Sequence, residues 1–65
     1  MRVFRISFDN KNWQIATADT VEIAIGRISP RQFTKIIDGN ILGQYILIEQ
    51  EFPLIYLNVY VQELK

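Results

Sequence analysis

The sequence predicts a small α+β domain with an antiparallel sheet, and three observations lead to this fold class. Apolar and polar residues alternate near both ends of the chain, whereas the middle has the apolar spacing of a helix. The chain has 65 residues, the length of a single small domain over residues 1–65. Apolar residues make up 49% of it, with isoleucine at 11 positions, and this composition is the opposite of that of a disordered chain.

The N-terminal third predicts a β-hairpin. Residues 2–8 and residues 13–17 each alternate in the way that half-buried strands do. Residues 9–12 (DNKN) predict the turn between them, because Asp and Asn tolerate the backbone conformations that turns require. The residues that share a face are Phe4, Ile6 and Phe8 in the first strand and Trp13, Ile15 and Thr17 in the second.

A helix is predicted over residues 20–28. Asp19 and Glu22 have the spacing of a capping box, with Asp19 as the N-cap. The apolar stripe consists of Val21, Ala24, Ile25 and Ile28, at the spacing of one helix face. Alternating apolar residues over 21–25 would also suit a strand, but the cap, the stripe and the length together favour the helix.

The next segment has two interpretations. Residues 30–37 predict a short second helix, with Ser29 and Pro30 at its start and Gly39 as a left-handed cap after its end. The alternative is a hairpin in which residues 33–37 lead through the following Asp-Gly turn signal into the next strand.

The last third predicts two strands, residues 44–50 and 54–63, joined near Phe52-Pro53 because proline cannot donate to a strand ladder. The last strand has one apolar and one more polar face: Ile55, Leu57, Val59 and Val61 on the first, and Tyr56, Asn58, Tyr60 and Gln62 on the second. The predicted order is therefore ββα(α)ββ, with one or two short helices on one face of the sheet. A small all-β barrel is the alternative.

The residue inventory argues against catalysis. The chain has no cysteine and no histidine, so it lacks a thiolate nucleophile, the commonest metal ligand and the commonest general base. The three glycines lack the spacing of a nucleotide-binding loop. Glu49 and Glu51 lie two apart on one strand face, but charges at a strand end usually face solvent. We expect no enzymatic activity, no cofactor and no metal site.

No targeting or membrane segment is predicted. The N-terminal residues 1–5 (MRVFR) lack the apolar core of a signal peptide. The most apolar stretch, residues 41–61, is interrupted by the polar run at 49–51 and does not suit a bilayer span. We expect a cytoplasmic protein without a membrane partner.

Charge is segregated along the chain although the net charge is zero. Residues 1–37 carry six basic and three acidic side chains, a balance of +3, and residues 38–65 carry one basic and four acidic, a balance of −3. Arg27, Arg31 and Lys35 are spaced four apart, so one continuous helix would align them for contact with phosphates. A solvated helix face is the simpler explanation of the same spacing.

Residues 24–33 (AIGRISPRQF) resemble the turn and the start of the recognition helix in AraC-type helix-turn-helix regulators. The resemblance implies a DNA-binding helix over residues 30–37, with Arg31, Gln32 and Lys35 at the DNA. It covers only this segment and leaves both hairpins unexplained. A small DNA- or RNA-binding regulator is therefore the alternative function.

The apolar excess predicts the leading function. Short helices can cover only one face of a sheet, so the other face remains open to a partner. Tyrosine is enriched at protein interfaces because it combines apolar area with a polar tip. The candidate binding residues are Tyr45, Tyr56, Asn58, Tyr60 and Gln62. Residues 54–63 are also long and nearly uncharged, and at a sheet edge they would pair with another chain.

These features predict a non-catalytic protein-interaction module that acts through a sheet face or an edge strand. Its class is that of small regulators or inhibitors such as those encoded by phages and mobile elements. We also expect a homodimer, because self-association would complete the small core that a chain of this length can build.

Overall fold

The computed structural model describes residues 1–64, which form five strands and one helix. The elements in chain order are β1 (Arg2–Ser7), β2 (Gln14–Ala18), α1 (Val21–Ile28), β3 (Lys35–Asp38), β4 (Gln44–Gln50) and β5 (Ile55–Leu64). The strands form one antiparallel sheet in the order β2-β1-β5-β4-β3. The protein is thus a small α+β domain whose sheet is open, with β2 and β3 as its edge strands.

The two faces of the sheet differ, and we call them inner and outer. The inner face carries Phe4 of β1 and Val59 of β5, and α1 packs against it over β1 and β2. The outer face carries Arg5 of β1 and Tyr56 of β5, because alternate residues of a strand point to opposite faces of the sheet. The buried core on the inner face consists of Phe4, Ile6, Ala16, Ala18, Ala24, Ile25, Leu47, Val59 and Val61.

The predicted N-terminal hairpin is confirmed. Phe4 lies opposite Ala16, so the apolar face of β1 meets the alanines of β2. Ile15 and Thr17 share a face as predicted, but this is the exposed outer face. The small alanines face inward because α1 packs directly on β2.

The predicted helix is also confirmed, with a different cap. Ala24 and Ile25 of the apolar stripe are fully buried under the helix. The N-cap is Thr20, whose Oγ1 accepts a hydrogen bond from the Ile23 N–H at 3.2 Å, so the assignment of Asp19 was wrong by one residue. The Asp19 backbone carbonyl instead accepts a hydrogen bond from the Arg2 guanidinium at 3.2 Å.

The predicted second helix over residues 30–37 does not form. Ser29 ends α1 instead of starting a helix, because its N–H donates to the Ile25 carbonyl at 2.8 Å. The Thr34 N–H already donates to the Ile48 carbonyl of β4 at 2.7 Å, and β3 continues that pairing. The β-branched residues of this segment gain a strand partner, and this tertiary pairing overrides the local helix signal. The order is therefore ββαβββ.

The alternative hairpin describes this segment better, although its loop is longer than the Asp-Gly signal implies. Gly39 closes the loop with an N–H that donates to the Gln44 carbonyl at 2.8 Å. A Cβ on Gly39 would lie 2.7 Å from that carbonyl oxygen, so only glycine fits. Gly43 has φ +81°, and the Val61 N–H donates to its carbonyl at 2.7 Å. The loop is thereby tied to β5.

β5 is the central strand of the sheet and does not lie at an edge. Its residues 55–60 pair with β4 and its residues 60–64 pair with β1. The strand that was a candidate for pairing with another chain is therefore occupied by strands of its own chain. An uncharged, apolar sequence is typical of a strand with neighbours on both sides. Among the described residues, no helix is long and apolar enough to cross a membrane.

Candidate protein-interaction surface

The strand register places two rows of side chains across the outer face. In one row Ile37 of β3 lies opposite Ile46 of β4, which lies opposite Asn58 of β5. In the next row the corresponding residues are Lys35, Ile48 and Tyr56. Four of these six side chains are large and apolar or aromatic. This half of the outer face is therefore hydrophobic, although α1 lies on the other side of the sheet.

A groove of about 440 Å³ lies over the two rows. Ile48 forms part of its floor and is only 4% exposed, whereas Ile37 and Tyr56 are 43% and 56% exposed. Ile41 from the β3–β4 loop and Leu54 from the β4–β5 turn complete the lining. Of the residues that the structure describes, none that lines the groove is charged. We call this region the outer-face groove.

The other half of the outer face carries a cluster of contacts around Arg5. The Arg5 guanidinium lies 4.2 Å from the centroid of the Trp13 ring, a cation–π contact. The Arg5 Nε also donates to the Gln62 side-chain oxygen at 2.6 Å. These contacts engage Arg5, Trp13 and Gln62 with one another, whereas Ile15, opposite Arg5, is 61% exposed.

The predicted binding residues divide between these regions. Tyr56 and Asn58 line the outer-face groove. Tyr60 and Gln62 share the same face but lie farther along β5, toward Arg5. Tyr56 and Tyr60 are not side by side, because Asn58 stands between them and four residues of a strand span about 13 Å.

Tyr45 does not belong with the other four residues. It lies opposite Val59, so it points to the inner face and is half-buried against the core. Ile46 and Ile48 of the same strand point to the outer face and line the groove.

Sequence reasoning missed the isoleucines of the groove. Ile37 was predicted in the second helix or, in the alternative, in a hairpin strand, and no face was predicted for Ile46 and Ile48 of the strand over residues 44–50. A signal was present in β4, where the odd positions Tyr45 and Leu47 and the even positions Ile46 and Ile48 are all apolar or aromatic. A strand that is apolar on both faces needs cover on both faces.

The basic residues of the alternative function are not aligned. Arg27 lies in the last turn of α1, Arg31 and Gln32 lie in the following loop, and Lys35 begins β3. The recognition helix that the AraC resemblance implies is therefore absent from residues 30–37. Arg31 lies 3.1 Å from Glu49 and Lys35 lies 3.4 Å from Glu51, so both carboxylates of the Glu49/Glu51 pair have a basic neighbour.

Two further charged groups serve the structure. The pKa of the Asp9 carboxyl is held far below its usual range because it accepts hydrogen bonds from the backbone N–H groups of Asn12 and Lys11. A hydrogen bond to Glu63 raises the pKa of Arg2. Within residues 1–64, no group of three or more His, Cys, Asp or Glu side chains is arranged to hold a metal ion.

The outer-face groove combines an apolar floor, partly exposed apolar walls and a few uncharged polar groups. This combination is typical of the central part of a protein–protein contact, where charged residues are depleted and aromatic residues enriched. Its functional interpretation rests on these residues, since no protein-family model, curated protein or solved structure matches this chain.

Proposed function

We propose that this protein is a non-catalytic protein-interaction module that binds its partner in the outer-face groove. The observation that supports this proposal is the exposure of apolar side chains around an uncharged groove. Leu54 and Ile41 are 61% and 67% exposed, in addition to the exposed parts of Ile37 and Tyr56. Burial of apolar surface is favourable by about 25 cal/mol per Å². A partner that covers these side chains gains this free energy.

The lining also indicates which residues would contribute most to binding. Tyr56 is an aromatic side chain at the groove wall, next to the buried Ile48, and such aromatic anchors are enriched among binding hot spots. Asn40, Gln44 and Asn58 supply uncharged donors and acceptors around it. These polar groups can orient a partner without the desolvation cost of a buried charge.

The charged residues support binding over catalysis or phosphate recognition. Glu49 and Glu51 lie in ion pairs, which favours a structural role over acid–base chemistry. The same pairs partly neutralise Arg31 and Lys35, so a phosphate would have to compete with a carboxylate at each. Nucleic-acid binding therefore gains no support from these two residues.

Site-specific photocrosslinking tests the proposed function. A benzoylphenylalanine side chain is introduced at position 56, in the groove, and separately at position 23, on the solvent-facing side of α1. Ile23 is a suitable control because it is 47% exposed, close to the exposure of Tyr56. We expect protein adducts from position 56 and not from position 23, in cells that naturally produce the chain.

The substitution Ile37→Asp provides the second arm of this experiment. It places a charge in the groove and is expected to abolish the adducts at position 56. Equal adducts at the two positions, or none at position 56, would contradict the proposed function. A low-salt gel shift that retains DNA or RNA, is lost with Arg27→Ala and is unchanged by Ile37→Asp would instead support the nucleic-acid alternative.

A further inference from the structure

We propose that the partner in the outer-face groove is a second copy of this chain, so that two outer faces pack against each other in a symmetric dimer. This dimer rests on the proposed function and deepens it by naming the partner. On the inner face α1 packs against β1 and β2, whereas no element of the described chain packs on the outer face, where a second sheet would supply a layer. Sheets that pack in this way lie about 10 Å apart, with interdigitating side chains.

The surface area of the protein supports a second copy. The structure exposes 4777 Å², whereas a folded monomer of this mass typically exposes roughly 4,300 Å². The difference, roughly 500 Å², is more than half of the roughly 800 Å² that each partner contributes to a standard interface. The protein therefore exposes more surface than a typical monomer of its mass, which leaves area for a contact between copies to bury.

Exposed apolar side chains at the groove provide much of the area that such a dimer needs. Phe52 in the β4–β5 turn is 94% exposed and lies outside the groove lining, two residues before its member Leu54. Aromatic side chains have about 200 Å² of surface each, so Phe52 and Tyr56 together expose roughly 300 Å². Ile37, Ile41 and Leu54 add to this area from the other walls.

The charges are compatible with self-association. The net charge is zero, so two copies do not repel each other at long range. A two-fold symmetric interface requires a patch that is complementary to itself. The groove lining is uncharged, and its edge carries one charge of each sign, Lys35 and Glu51, which are 58% and 59% exposed. Two-fold symmetry allows Lys35 of one copy to pair with Glu51 of the other.

Sedimentation of the purified chain tests the dimer directly. We expect the mass to rise with concentration from 7.6 kDa toward twice this value. Ile37→Asp should raise the dissociation constant by about 100-fold, because it buries a charge in the interface. Leu54→Asp, in a turn outside the strands, should act in the same way if Ile37→Asp impairs folding. The control Ile23→Asp should dimerise like the unmodified chain.

Charge reversal distinguishes a contact between copies from the ion pair within one chain. Lys35→Glu alone places two acidic groups opposite each other across the dimer, and Glu51→Lys alone places two basic groups there. We expect each variant to dimerise more weakly than the unmodified chain. A mixture of the two should form heterodimers, because both contacts then join opposite charges. A mixture of Lys11→Glu and Glu22→Lys has the same net charges away from the groove and controls for long-range attraction. Equal recovery in the two mixtures would confine the Lys35–Glu51 ion pair to one chain.

The outcomes separate this dimer from the proposed function. A chain that remains monomeric at all concentrations, while position 56 crosslinks to a different protein, would contradict the dimer and leave the binding role intact. A dimer that Ile37→Asp and Leu54→Asp both leave unchanged would place the contact elsewhere and overturn the dimer proposed here. A monomer without any adduct at position 56 would contradict both proposals.

Discussion

The Phe33 ring packs across Gly26 of α1, with its Cζ atom 3.8 Å from the point that a Cβ on this glycine would occupy. This distance is an ordinary van der Waals contact, so the loop after α1 lies against the helix without requiring a glycine there. The other two glycines differ, because a Cβ at either position would meet a backbone carbonyl oxygen.

Gly26→Ala is therefore expected to stabilise the protein. Alanine loses less conformational freedom than glycine in a helix interior, which predicts a gain of about 0.5–1 kcal/mol in the free energy of unfolding. Denaturant unfolding followed by circular dichroism measures this change. Gly39→Ala is the matched control and should destabilise, since its Cβ would lie 2.7 Å from the Gln44 carbonyl oxygen. Destabilisation by Gly26→Ala would show that Phe33 does not tolerate the added methyl group.

The N-cap of α1 gives a second prediction. Thr20→Ala removes the hydroxyl that accepts the Ile23 N–H and should lower the free energy of unfolding by about 1 kcal/mol. Asp19→Ala retains the backbone carbonyl that Arg2 contacts and should have a smaller effect. Thermal unfolding of the two variants side by side checks the order. The opposite order would restore Asp19 as the cap.

The third prediction concerns the turn after β1, where both carboxylate oxygens of Asp9 accept hydrogen bonds from Ser7, Lys11 and Asn12. These bonds lower the pKa of Asp9 in the folded state, whereas an unfolded Asp has a pKa of about 3.9. The carboxylate therefore adds stability above this value, and the contribution is lost as the pH falls below it.

Asp9→Asn removes the charge and one of the two acceptor oxygens. We expect a lower Tm at neutral pH, with the difference from the unmodified chain shrinking as the pH falls below about 4. Lys11→Ala is the control, because Lys11 contributes only its backbone N–H to the turn. A difference in Tm that stays constant from neutral to acidic pH would contradict the role of the ionised carboxylate.

Local patterns predicted the elements whose partners are near in sequence. The alternation of β1 and β2 and the apolar stripe of α1 concern contacts within a hairpin or a helix, and the structure confirms them. β3 was predicted only in the alternative hairpin, because residues 35–38 become a strand by pairing with β4. The Ser-Pro pair before it carries a helix-start signal and the Asp-Gly pair after it a turn signal, and only the pairing with β4 decides between them.

The residues of the candidate surface were harder to predict than the local elements, because the pairing of strands that are distant in sequence brings them together. Alternation placed Tyr56 and Asn58 on one face of β5, and the structure agrees. It could not show that β5 lies between β1 and β4, or that Ile37 lies in the same row as Ile46 and Asn58. Tyr45 shows the same difficulty, because in a strand that is apolar on both faces the pattern does not reveal which face meets the core.

The central position of β5 also affects the order in which the protein can fold. Ile6 pairs with Val61, so one side of β1 can pair only with β5, the last element in the sequence. Contacts between such distant segments slow folding, because a long loop must close before they form. During synthesis, β1, β2 and α1 emerge first and keep one side of their core open. Since β3, β4 and β5 are consecutive antiparallel strands, we expect the pairing of β1 with β5, which joins the two parts of the sheet, to form last.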